Sequence, residues 1–291
     1  VTADPYQTRV SSVETLLPRP DPVVFGEHGP LEPEQLKRYD TDGYLVLEEL
    51  FDRQVVGEAL GELEHLVALE GNREDPRFIW EPGSTQLKSI FEIHRISEFF
   101  RRLIGDTRLT GRAAQILGSE VYVHQTRVNL KPGFDGTDFY WHSDFETWHA
   151  EDGMPTPRAL SVVLALTENL PINGPLMVIP GSHRTFVSCT GETPEANYRT
   201  SLVRQEIGLP SQQTLSRLAE LGGVVQCLAR PGTAIVFDSN LMHGSTGNIT
   251  PFPRQSLFVV FNSVENALSE PFSAPARRPE FLAARDFTPL G

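Results

Sequence analysis

Two hydrophobic periods divide the chain. Up to Gly118 the apolar positions recur mostly at helical spacing, and beyond it they alternate. In the first part, Val56, Leu60, Leu63 and Val67 predict a helix within Arg53–Glu70. Pro33 opens a shorter helix over Pro33–Tyr39, since proline fits a first helical turn. Two further helices are expected at Ser97–Ile104 and Thr107–Leu117, the second closed by Gly118. Gly43–Leu47 reads as an isolated strand.

In the second part, alternation predicts strands at Val121–Lys131, Ala159–Thr167, Leu176–Ile179, Val224–Leu228, Thr233–Phe237 and Ser256–Phe261. Turn pairs separate them: Pro132-Gly133, Asp135-Gly136, Asn173-Gly174, Pro180-Gly181 and Pro231-Gly232. Many short strands with such punctuation predict a mainly β fold with helical additions and a jelly-roll core. Residues 184–210 interrupt the pattern with a polar stretch, expected to be a lid or binding loop, before a helix at Ser211–Leu221. The proline-rich residues 1–30 are expected to lie as an extended arm on one domain spanning 1–291.

Composition narrows the partners. A formal net charge of −13 disfavours phosphate backbones and anionic lipid, so neither nucleic acid nor membrane is expected. No apolar run approaches the roughly 18 residues that span a bilayer, and no basic region followed by an apolar stretch marks a leader. Cys189 and Cys227 form no CxxC pair, which points to a reducing cytoplasm.

The candidate chemistry centres on Trp141-His142-Ser143-Asp144. In an extended segment, residues two apart share a face, so His142 and Asp144 can take adjacent corners of an octahedron. His243, following the Thr233–Phe237 strand, supplies a third ligand. Two imidazoles and a carboxylate on one octahedral face leave room for a co-substrate and oxygen, the pattern of non-haem iron(II) oxygenases. Zinc prefers tetrahedral sites, making a zinc hydrolase the less natural reading. Taken alone, HxD is a common incidental pair. Arg254, opening another strand, adds a guanidinium able to grip the far carboxylate of 2-oxoglutarate bidentately. His183 reads as a structural turn residue, and spacing gives His94, His124 and His149 no ligand role.

The run Trp141-His142-Ser143-Asp144-Phe145-Glu146-Thr147-Trp148-His149-Ala150-Glu151-Asp152-Gly153-Met154-Pro155 resembles the signature of the ectoine hydroxylases, a branch of the phytanoyl-CoA dioxygenase-like superfamily. Asn173-Gly174-Pro175-Leu176, Pro180-Gly181-Ser182-His183 and Asn262-Ser263-Val264-Glu265-Asn266 extend the likeness over nearly the whole chain. Thr156-Pro157 departs from the expected pattern without touching the candidate ligands. The resemblance implies a double-stranded β-helix, Fe(II), 2-oxoglutarate and O2 as cofactor and co-substrates, ectoine as substrate, and a homodimer. It also favours turning the polar face of Val121–Lys131 inward, with Gln125 and Arg127 on ectoine and Asn129 and Lys131 near 2-oxoglutarate.

Ser161, the one polar member on the small-residue face of Ala159–Thr167, is a further ligand-contact candidate. Trp148, Phe261 and Phe91 are candidate aromatic walls around a delocalised cation. The remaining alternatives are the same chemistry on proline or another free amino acid, and a jelly-roll binding protein without catalysis.

Overall fold

Local chemistry accounts for the helical half. Asp52, Ser97 and Asp106 each turn a side-chain oxygen onto a free N–H of the helix that follows, capping Arg53–Val67, Glu98–Ile104 and Thr107–Leu117. Gly43 and Gly118 end Pro33–Asp42 and Thr107–Leu117 in the left-handed conformation that favours glycine. The computed structural model describes residues 4–69, 72–81 and 83–290; the expected helix end at Glu70 lies outside them.

The strands are β1 (Thr15–Pro18), β2 (Tyr44–Leu47), β3 (Phe78–Trp80), β4 (Leu87–Phe91), β5 (Val121–Lys131), β6 (Phe139–His142), β7 (Ala159–Ala165), β8 (Leu176–Val178), β9 (Thr185–Ser188), β10 (Val225–Cys227), β11 (Ala234–Asp238), β12 (His243–Ser245) and β13 (Arg254–Ser263). One sheet runs β2-β11-β7-β13-β5-β4-β3, a second runs β10-β8-β12-β6, and β1 pairs with β9. Every pairing is antiparallel. Val163, Ala165, Ile235, Phe237 and Phe258 of the large sheet meet Leu176, Val178 and Cys227 of the small one in a shared apolar layer. Two sheets so packed form the expected jelly roll.

The other face of the large sheet carries Leu160, Val162, Leu164, Val236, Leu257 and Val259, which pack against the four helices named above. Alternation along each strand thus separates a helix-covered core from an interior face. The N-terminal residues lie across the molecule: β1 pairs with β9, and Tyr6 packs with Phe145 and Phe186. Within 184–210 the chain forms β9 and a short helix at Tyr198–Ser201 before the Gln212–Gly222 helix.

Candidate metal centre and cavity

β6 and β12 pair so that His142 stands directly opposite His243, with ring centroids 4.3 Å apart. His142 ends its strand, Ser143 continues extended, and Asp144 opens a four-residue helix. The two ligands therefore do not share one strand face; the strand-to-helix turn brings the carboxylate round beside both imidazoles. Asp144 Oδ1 lies 3.7 Å from His142 Nε2, and Oδ2 lies 3.8 Å from His243 Nε2. One donor atom from each residue lies within 4.8 Å of the others.

Backbone carbonyls fix both rings. His142 Nδ1 is 2.7 Å from the Tyr140 oxygen and His243 Nδ1 is 2.9 Å from the Leu241 oxygen. A carbonyl only accepts, so each Nδ1 carries a proton, and the bond turns each Nε2 toward the centre. Burial, then the neighbouring His142, push His243 down to about 4, which keeps it neutral and able to ligate. Burial opposes the charge of Asp144, but His243, His142 and Arg127 outweigh it and hold the carboxyl well below its usual range. Two imidazoles and one carboxylate converging from one side fit a divalent iron with open positions opposite them.

A cavity of about 410 Å³ opens beside this triad. Gln125, Arg127 and Asn129 of β5 line it, as do Trp148 and Phe91. Arg254 lines it too, buried and with its Nε lacking a hydrogen-bond partner among the described residues. Burial alone pushes that guanidinium down to about 10. The 184–210 segment covers one side through Asn197, residues 201–205, Ile207 and Leu209.

One expected contact is corrected. Phe261 is fully buried in the helix-covered core, because it alternates with Val260 and lies on the face opposite Arg254. Ser161 donates to Asp144 Oδ2 at 3.3 Å, one hydrogen bond away from the metal ligands. The Lys131 ammonium donates to the carbonyls of Thr137 and Thr246 and the hydroxyl of Ser245, at 2.9, 2.6 and 3.0 Å, and Ser245 lines the cavity.

Sequence reasoning missed Phe258, Arg278 and the ring of charges behind the wall. Phe258 lines the cavity and carries the Arg127 guanidinium 4.5 Å from its ring centroid. Counting in twos from Arg254 would have found it. Arg278 also reaches the wall, forked on Asp152 at 2.7 and 2.6 Å; it comes from an irregular C-terminal segment with no periodic signal. The other histidines are structural. His183 meets the Asp40 carbonyl, His149 the Met154 carbonyl and Asp4, and His94 the Thr126 hydroxyl.

A jelly roll that turns two imidazoles and a carboxylate into a cavity with a buried arginine whose Nε has no partner among the described residues defines the class: a non-haem iron, 2-oxo-acid-dependent oxygenase. Residues 39–256 match the family described as phytanoyl-CoA dioxygenase (PhyH), and the chain belongs to that family. Within it, the chain is 53% identical over 287 residues to the ectoine dioxygenase of Nocardia farcinica, covering 99% of this chain and 95% of the relative. It is 53% identical over 290 residues to that of Streptomyces coelicolor, covering 99% and 97%. Among solved structures, apo EctD from S. alaskensis superposes with a TM-score of 0.89 at 46% identity, covering 99% of this chain and 97% of that one. The same enzyme with 2-oxoglutarate and 5-hydroxyectoine gives 0.87 at 44%, covering 99% and 100%.

Proposed function

We infer that this chain hydroxylates ectoine to 5-hydroxyectoine, consuming 2-oxoglutarate and O2 and releasing succinate and CO2. The full-length likeness to enzymes named for that activity carries the reading. Iron(II), held by His142, Asp144 and His243, supplies oxygen activation coupled to decarboxylation of the 2-oxo acid.

The protein's own contribution is positioning. The Nδ1–carbonyl bonds of both histidines, and Ser161 on Asp144, hold the three ligands in place. Arg254 takes the distal carboxylate of 2-oxoglutarate, with Asn129 beside it; a buried guanidinium whose Nε has no partner among the described residues supports this assignment, since a carboxylate would relieve it. Ectoine occupies the remaining space against Gln125, Arg127, Trp148 and Phe91. Arg127 suits its carboxylate, and Trp148 offers an aromatic face to its amidinium. Phe258 adds a second aromatic surface there. Lys131, bonded to the Thr137 and Ser245–Thr246 loops, and Ser161, on the Asp144 carboxylate, flank the same 2-oxoglutarate site.

We further propose one catalytic domain over 1–291, a homodimer, and a cytoplasmic setting. No helix among the described residues is long and apolar enough to cross a membrane. Two buried, unpaired thiols suit a reducing compartment.

Mass spectrometry of ectoine incubated with the protein, Fe(II), 2-oxoglutarate and O2 tests the activity. A one-oxygen gain with matching succinate is expected. Succinate without hydroxylated ectoine would redirect the reading to another small zwitterion, such as proline. Neither product from iron-loaded protein would sink it.

A further inference from the structure

The N-terminal arm enters the interior at a point the reaction does not use. Arg9 lies there with no exposed side-chain surface. Its backbone is left-handed (φ 57), uncommon for a residue with a Cβ, and its N–H is anchored on the Cys189 carbonyl at 2.9 Å.

Its guanidinium is divided among three parts of the molecule. Nε and Nη2 fork onto Glu146, two residues after Asp144, at 2.9 and 2.7 Å. Nη1 donates to Glu151 at 2.6 Å and to the Thr193 hydroxyl at 3.2 Å. Thr8, next to it in the arm, adds a hydroxyl bond to Glu146 at 2.7 Å. Glu151 also accepts from the Asn197 amide at 2.8 Å. Gly208, near the far end of the same loop, packs so tightly on the Arg9–Glu146 pair that any Cβ would collide with both.

Glu151 and Asn197 line the cavity; Arg9 does not. One buried cation thus joins the arm, the segment that begins with the metal ligand Asp144, and both ends of the covering loop. A pair serving stability alone needs no bond to the loop. Here Thr193, Asn197 and Gly208 all close onto it.

We propose that Arg9 is a positioning residue, a strap that holds the 184–210 loop on the 144–152 segment and so fixes the wall that receives ectoine, a role that rests on the ectoine reading above. Ectoine affinity therefore depends on a side chain that never touches it, whereas 2-oxoglutarate, anchored at Arg254, is insulated from it.

The test compares Arg9→Met, Arg9→Lys and Asn197→Ala in the iron-loaded enzyme. Arg9→Met raises the KM for ectoine about tenfold or more, by loosening a wall whose placement governs reactive geometry. Its KM for 2-oxoglutarate and its iron content stay at wild-type values. Trypsin cleavage at the exposed Arg199 and Arg204 accelerates, and ectoine no longer slows it. Arg9→Lys keeps the charge but not the fork, and falls between the two. Asn197→Ala cuts the loop's bond to Glu151 and also alters the cavity wall, so its cleavage rate without ectoine decides the matter if Arg9→Met fails to fold; that rate rises with an unchanged melting temperature. Wild-type KM and cleavage rate in folded Arg9→Met, or a wild-type cleavage rate in Asn197→Ala, would overturn the strap. A wild-type protein that ignores ectoine would instead overturn the substrate reading, and the cleavage rates without ectoine would still decide the strap.

Discussion

Replacing Arg254 by methionine separates binding from stability in opposite directions. Arg254 is 3% exposed, its Nε has no partner among the described residues, and burial lowers the guanidinium from 12.5 to about 10. A tenfold change in a proton equilibrium is about 1.4 kcal/mol, so holding the charge there costs the fold about 3 kcal/mol at any pH below that value. A carboxylate seated on the guanidinium recovers a similar amount, and losing it weakens 2-oxoglutarate by about a hundredfold. Arg254→Met removes the cost and keeps most of the side-chain volume. The ligand-free variant should therefore melt at or above the wild-type temperature while its Kd for 2-oxoglutarate rises. Anaerobic titration of the iron-loaded proteins with 2-oxoglutarate, beside calorimetric melting without it, gives both quantities. An unchanged Kd, or a marked loss of stability, would show that Arg254 already has its partner inside the protein.

Alanine at His142, Asp144 or His243 should each abolish stoichiometric iron binding, read by metal analysis after desalting; full iron content in any one removes that residue from the triad. Phe258 and Phe261 should part company. Phe261→Ala opens a hole in the helix-backed core and costs about 3–5 kcal/mol by denaturant unfolding, with ectoine KM unchanged in the folded fraction. Phe258→Ala should raise that KM with a smaller loss of stability, and equal KM effects would contradict the face assignment. His94, pushed down to about 4 by burial, stays neutral in the fold while its unfolded counterpart titrates near 6.5. The unfolded chain gains a proton first as pH falls through that window, so His94 lowers stability progressively from 6.5 to 4, by up to about 3 kcal/mol. Melting curves of His94→Gln against wild type from pH 7 to pH 4 should show a shallower acid limb in the variant.

Strand alternation brings most of the fold into view. β5 is legible to the residue, and the split of Ala159–Thr167 into a helix-facing row and a small-residue row matches the two packed layers. β1, β3, β4, β6, β9 and β12, all of three to five residues, escape it. His142, Asp144 and His243 are legible since imidazole and carboxylate types carry their chemistry in the sequence. Which neighbours touch the cavity is less so. Phe261 is misplaced unless the inward row is counted from Arg254, and the backbone acceptors that Lys131 finds in the Thr137 and Thr246 loops leave no trace in side-chain types. Arg9 is invisible for a related reason: its partners lie 137 and 142 positions away.

The rung that sets His142 opposite His243 also dates the metal site in the life of the chain. Pairing of β6 with β12 joins residues separated by just over a hundred positions, and such closures come late because their entropy cost precedes their reward. A chain still leaving the ribosome holds two ligands and no third until His243 has emerged and docked. Loading with iron therefore follows completion of the small sheet, and a truncated or misregistered product is born without the capacity to activate oxygen.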